Sequence, residues 1–416
     1  MKKKFKAIIL ITLIAGAVGI TTIIIMPQQR ELDQILLLLA KKSQKTTIDI
    51  QEMWTWMSGN NIIDQAGSYN MKGVPAAENL PGARRFSISW TDSNNNLWLF
   101  GGEGRDGSNN EGWLNDLWMF NTTSGWWMWV SGNDTISQSG IYGIKGVPAA
   151  GNVPGARASS ISWTDSDDNL WLFGGYGFDN TGTILGYLND LWIFNMTNRW
   201  WMWVSGNDTR NQTGIYGTRG VSAMENVPGA RDKSISWIDS DGNLWLFGGF
   251  GFNSTDMILG WLNDLWIFNM TSGWWMWVSG SNIRHQVGTY GIKGVPAAGN
   301  VPGARRYSIS WMDSDDNLWL FGGNGHAKSA LMLGPLNDLW LFYIKSGWWM
   351  WVSGNDTLVQ SGIYGIKGVP DNVSVPGVRY GSVSWMDSDD NLWLFGGLGL
   401  DIGSSYGYLN DLWKYT

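Results

Sequence analysis

Large apolar residues recur along this chain in short alternating runs, and the clearest is NLWLFGG, read at Asn96 to Gly102 and again from Asn169, Asn243, Asn317 and Asn391. In an extended run Trp98 and Phe100 point one way and Leu97 and Leu99 the other, so a strand here has two apolar faces and must be covered on both. Each copy has the same escorts. A PGAR-type turn and a short strand such as Ser87 to Thr91 precede it, and two further apolar runs, such as Leu117 to Phe120 and Trp126 to Val130, follow it. Loops containing Pro and Gly close both ends, which predicts four short strands per repeat. The second Gly of each pair falls at Gly102, Gly175, Gly249, Gly323 and Gly397, a near-constant period that marks duplication of one folding unit. Repeated four-stranded sheets with two apolar faces pack face to face around an axis, as in a β-propeller, giving an all-β fold.

The ends of the repeat region sharpen this expectation. Trp54 to Gly59 (WTWMSG) matches the fourth strand of a repeat, and Asn410 to Thr416 (NDLWKYT) matches the third. The pattern predicts a five-bladed propeller over residues 53–416, its last blade closed by the N-terminal strand, so that no edge stays free. Before it, residues 1–26 start with MKKKFK and continue as an uncharged apolar run, about 30 Å long as a helix. This reads as an N-terminal transmembrane or signal helix: an anchor, or a signal peptide with Ala15, Gly16 and Ala17 as its cleavage site. Residues 27–52 read as a linker with a short helix. The propeller is then expected outside the cytoplasm, periplasmic or at the cell surface, and secreted if the leader is cleaved.

Charge and composition narrow the partners. A net charge of -7 argues against nucleic acid, which binds basic surfaces. The absence of Cys removes thiolate chemistry and Cys metal sites, and with 31 Trp the chain has ample material for a packed core.

The order Arg, short strand, apolar strand ending in Gly-Gly, LNDLW and then Trp resembles the kelch repeat. The matching residues are Arg84, Arg157, Arg231, Arg305 and Arg379; the Gly pairs; Asp116, Asp190, Asp264, Asp338 and Asp411; and Trp127, Trp201, Trp275 and Trp349. The period exceeds the kelch length of about 50 residues, the excess lying between the fourth strand and the next first strand. The resemblance implies a scaffold shared with the central domain of galactose oxidase, whose copper site needs a Tyr cross-linked to Cys and two His ligands. This chain lacks Cys and has only His285 and His326, in different kinds of loop, so no copper, other metal or cofactor is expected.

Asp-rich turns such as Asp165 to Asn169 read as hairpin turns rather than calcium loops, because a strand begins at once where a calcium loop continues. The repeated Arg and Asp residues read as structural contacts, since catalysis wants one asymmetric constellation and not five equal ones. Two features offer a ligand site. The extended loops repeat a Tyr followed three residues later by a cation, as Tyr69 with Lys72, Tyr142 with Lys145, Tyr216 with Arg219, Tyr290 with Lys293 and Tyr364 with Lys367. Ten such residues on one face would suit an anionic sugar or acidic protein segment; the alternative is that each Tyr packs its own loop. The loops after the Gly pairs differ most between copies and hold Asp179, Asp256, His326 and Asp401 on the same expected face. These readings predict a membrane-anchored binding or adhesion module, not an enzyme, that recognises a protein partner through one propeller face. The alternative is a carbohydrate-binding module or glycan-active enzyme using that face.

Overall fold

The apolar runs are short, rich in Trp, Phe, Ile and Leu, and bounded by Asp, Asn and Gly, which is why they fold as strands joined by tight turns. The computed structural model describes residues 56–416 except Thr183, Asp256, Ala330, Leu331, Ser388 and Asp389. The first repeat contains β1 (Arg84–Arg85), β2 (Ile88–Thr91), β3 (Leu97–Arg105), β4 (Glu111–Asn121) and β5 (Trp126–Ser131). The second has β6 (Arg157–Ala158), β7 (Ile161–Thr164), β8 (Leu170–Gly177), β9 (Gly186–Asn195) and β10 (Trp200–Ser205). In the third lie β11 (Arg231–Asp232), β12 (Ile235–Ile238), β13 (Leu244–Gly251), β14 (Gly260–Asn269) and β15 (Trp274–Ser279). The fourth comprises β16 (Arg305–Arg306), β17 (Ile309–Met312), β18 (Leu318–Gly325), β19 (Gly334–Tyr343) and β20 (Trp348–Ser353). The last has β21 (Arg379–Tyr380), β22 (Val383–Met386), β23 (Leu392–Leu400) and β24 (Tyr406–Tyr415).

Every regular element among the described residues is a strand, and every pairing is antiparallel. In the first sheet β1 and β2 both lie on β3, which pairs with β4, which pairs with β5. The other repeats copy this order, so the protein is a run of meandering sheets packed as in a β-propeller. The inner strands β2, β7, β12, β17 and β22 touch one another in sequence near the axis. The segments expected as a leader, linker and short helix lie outside the described residues.

Packing between sheets explains the two apolar faces. Ile161, Trp163, Trp171 and Phe173 on one face of the second sheet pack against Leu244, Leu246, Trp266 and Phe268 of the third. The indole Nε1 of Trp163, Trp237 and Trp311 each donates at 2.8 Å to the backbone carbonyl of the next inner strand, at Trp237, Trp311 and Trp385. The Gly pair permits the close approach: a Cβ on Gly101 (φ 60°) would lie 2.7 Å from the Arg157 carbonyl oxygen in the neighbouring repeat.

The residues between the last strand of one repeat and the first strand of the next have a structural task. Gly146 donates its N–H to the Trp203 carbonyl at 2.8 Å, and Ala149 bridges Trp201, so the loop runs along the outer edge of β10. The same bridge recurs from Ala76 to Trp127, Ala223 to Trp275 and Ala297 to Trp349. An exposed edge strand is a template for aggregation, and these loops cover it.

The last sheet departs from expectation. Residues 56–59 form no strand, and β24 pairs with β23 alone among the described residues. Ser58 instead accepts a hydrogen bond from Nε1 of Trp127 at 3.1 Å, which holds it against the first repeat. The face of the last sheet that in the other repeats meets a following sheet is uncovered: Trp385 is 53% exposed, whereas Trp163, Trp237 and Trp311 are 4%, 4% and 7% exposed.

Candidate functional site

The repeated charged residues form the frame. Arg157 donates twice to Asp190, both at 2.7 Å, and to the carbonyls of Gly155 and Gly174; Asp190 also accepts from Trp192 at 2.7 Å and Tyr142 at 2.6 Å. Arg157 and Asp190 are fully buried. Arg84 with Asp116, Arg231 with Asp264, Arg305 with Asp338 and Arg379 with Asp411 repeat the node, as the structural reading expected.

This node consumes the tyrosines of the expected ligand ring. Tyr69, Tyr142, Tyr216, Tyr290 and Tyr364 each donate to the Asp of their own repeat, and Tyr142, Tyr216 and Tyr290 are 5%, 4% and 0% exposed. Burial, reinforced by the Asp190 charge, pushes the Tyr142 hydroxyl well above its ordinary pKa. The cations are also engaged: Lys72, Lys145, Arg219 and Lys293 donate to the carbonyls of Gly132, Gly206, Gly280 and Gly354, each at 2.7 Å. Each also stands 4.3 Å from a Trp ring centroid, at Trp129, Trp203, Trp277 and Trp351. Lys367 has no such Trp, because the last repeat has no fourth strand among the described residues. Nine of the ten residues therefore brace edge loops, because a hydroxyl that satisfies a buried carboxylate is more stable inside than in water.

The variable loops do share one face. The loops after β8 and β18 meet those after β10 and β20, as the Asn180 N–H donates to the Asp208 carbonyl and the Lys328 N–H to that of Asp356, both at 3.0 Å. Asp179 is 1% exposed and serves this contact, accepting from the Thr181 N–H and from Arg210 at 3.0 Å. Asp401 accepts from the Ser405 N–H in a local turn. Asp256 lies outside the described residues. His326 and His285, which the sequence separates, come together: Nε2 of His326 is 3.1 Å from Nδ1 of His285, so one ring donates and the other accepts. Burial, His326 and Arg284 hold His285 below the ordinary histidine pKa. Among the described residues no three His, Cys, Asp or Glu side chains converge on a point where a metal ion could sit.

The asymmetric part of this face is axial. Each inner strand breaks after its frame Arg, and the break residues Phe86, Ser159, Lys233 and Tyr307 all have φ between 56° and 58°. Non-Gly residues rarely adopt this conformation, and where they do the strain often serves a site. Ser159, Lys233, Tyr307 and Gly381 each donate an N–H to the carbonyl of the preceding break residue, so the breaks follow one another around the axis. The break pairs read Arg85-Phe86, Ala158-Ser159, Asp232-Lys233, Arg306-Tyr307 and Tyr380-Gly381: one rigid position, five chemistries.

Aromatic rings line the wall beside them. Trp113, Tyr176, Tyr187, Phe250 and Trp261 follow one another at centroid separations of 6.2, 5.0, 5.7 and 4.9 Å, and Tyr307 stacks on Tyr380 at 5.9 Å. Lys233 pairs with Asp232 at 2.9 Å, and Asp232 is 3% exposed. Burial pushes the Asp232 carboxyl up, against the pull of Lys233 and Arg306. Three buried polar atoms here have no hydrogen-bond partner: Oδ1 of Asp232, Nε of Arg306 and Nε1 of Trp261. A cavity bounded by Phe86, Arg306, Tyr307, Asn324, Tyr380 and Leu398 opens beside Arg306. None of the axial pairs was singled out from the sequence, although their signal was present: between an invariant Arg and an invariant Ser stand two residues whose combination differs in every copy.

No protein-family model matches the sequence, and no curated protein does. Among solved structures the chain is similar to one titled "Structure of YjhT", with 14% identity over 80% of this chain and 82% of that one, and a TM-score of 0.48.

Proposed function

We propose that the protein is a kelch-like, five-bladed propeller acting as an extracytoplasmic, membrane-anchored binding module, whose ligand is a carbohydrate seated at the axial end of the loop face. The observation that carries this reading is the set of three orphaned buried polar atoms, on Asp232, Arg306 and Trp261, beside an aromatic wall. An unpaired buried polar group costs about 1–3 kcal/mol, and although Nε1 of Trp201, Trp275 and Trp349 in the core are unpaired too, three such atoms gathered on one wall support a ligand there. A sugar offers hydroxyl donors and acceptors on its rim and an apolar face that lies on aromatic rings. The frame carboxylates are fixed in Arg nodes, which favours binding over hydrolysis at this face.

A protein partner is the second reading, favoured by one observation. Ile184, Met257, Ile258 and Met332 in the variable loops are 61%, 70%, 56% and 72% exposed, an apolar rim of the kind that protein interfaces bury. A glycan array probed with the full-length chain and with its Trp261→Ala and Tyr307→Ala variants decides between the two. Glycan signal lost in both folded variants supports the axial site; signal that is absent from the array while surface proteins are retained on the wild-type chain supports the rim.

A further inference from the structure

The repeat supplies an internal control for Arg306. In the first repeat the equivalent residue is Arg85, which stands opposite Glu103 in the strand register and pairs with it at 3.1 Å. In the fourth repeat Arg306 stands opposite Asn324, so the carboxylate that neutralises the first arginine is replaced by an amide. Arg306 is held all the same. Its guanidinium carbon lies 5.1 Å from the ring centroids of Phe250 and Trp261 and 5.4 Å from that of Tyr307, and its Nε is buried without a partner. The nearby Asp232 pairs with Lys233 at 2.9 Å and acts on Arg306 only at longer range, so Arg306 has no direct carboxylate partner of the kind Arg85 has. A planar guanidinium fixed on aromatic faces, with donors unspent, fits a carboxylate held by two parallel hydrogen bonds.

We infer that Arg306 is the acid-recognising residue of the axial site and that the ligand is a carboxylate-bearing sugar, a hexuronic acid or the end of a polyuronate chain. This rests on the carbohydrate reading above. The sugar carboxylate takes the place that Glu103 fills in the first repeat. Its ring lies against Tyr307, which borders the cavity together with Arg306 and Asn324.

Calorimetric titration of the full-length chain with glucuronate, galacturonate, a polyuronate oligomer and glucose tests it. Uronates are expected to bind at least tenfold more tightly than glucose, and a gain on going from the monomer to the oligomer identifies a chain end as the source. Arg306→Gln and Asn324→Glu should each remove that preference, the second by giving Arg306 a built-in carboxylate as in the first repeat, while circular dichroism shows both folded. Equal binding of glucose and uronates, unchanged in both variants, overturns the acid inference and leaves the carbohydrate reading standing. No binding of any sugar by the folded wild-type chain overturns both.

Discussion

The hydroxyl of Tyr290 donates at 2.7 Å to the same Asp338 oxygen that Arg305 engages at 2.7 Å. A residue that looked like half of a ligand site is thus part of a buried polar node. Replacing Tyr290 with Phe removes one donor from a buried carboxylate and should cost about 1–3 kcal/mol in urea unfolding. Lys293→Ala, which removes a surface cation from the Trp351 ring, should cost only about 0.5–1 kcal/mol. Neither should change ligand affinity; a loss of binding in a folded Tyr290→Phe protein would return the tyrosines to the site.

Arg305 is the heavier member of the node. It and Asp338 are almost wholly buried, so Arg305→Leu strands a carboxylate in the interior. A destabilisation of about 3–5 kcal/mol is expected by chemical denaturation, and Arg305→Leu/Asp338→Leu should recover much of it because no lone charge remains.

The uncovered face of the last sheet makes a contrast between equivalent tryptophans. Trp237→Ala should cost about 3–5 kcal/mol, since the side chain is 4% exposed between two sheets. Trp385→Ala at the 53% exposed position should cost a small fraction of that. Equal losses in the two variants would mean that in solution another sheet or segment covers Trp385.

Asp411 supplies a pH dependence. Burial alone would raise its pKa, but hydrogen bonds from Arg379, Tyr364 and Trp413 outweigh that and hold it at about 2. An unfolded Asp titrates near 3.9, at about the usual value. The folded state therefore binds its proton less readily, and the stabilisation is full above roughly pH 4 and is lost as pH falls through about 2. Urea midpoints of the wild type should drop more between pH 5 and pH 2.5 than those of Asp411→Asn; parallel curves would count against the node as the cause.

The sequence by itself determined the strands, the period, the antiparallel sheet unit and the structural role of the repeated Arg and Asp residues. Those features rest on local alternation and on residues that repeat, and repetition is visible in one dimension. Tertiary structure decided where each repeated side chain points. Tyr142 and Lys145 stand three apart in a loop, yet one dives to Asp190 and the other lies on Trp203, because burial and hydrogen bonding act between residues roughly fifty positions apart. It also decided that Asp232, Trp261 and Arg306, scattered over two repeats, share one wall. Their meeting depends on the register of β11, β13 and β14 and on the stacking of neighbouring sheets. The His285 and His326 pair follows from the same stacking, and Trp385 is exposed where no following sheet stacks on its face. A one-dimensional pattern gives the faces of a strand, but which faces meet is set by packing around the axis.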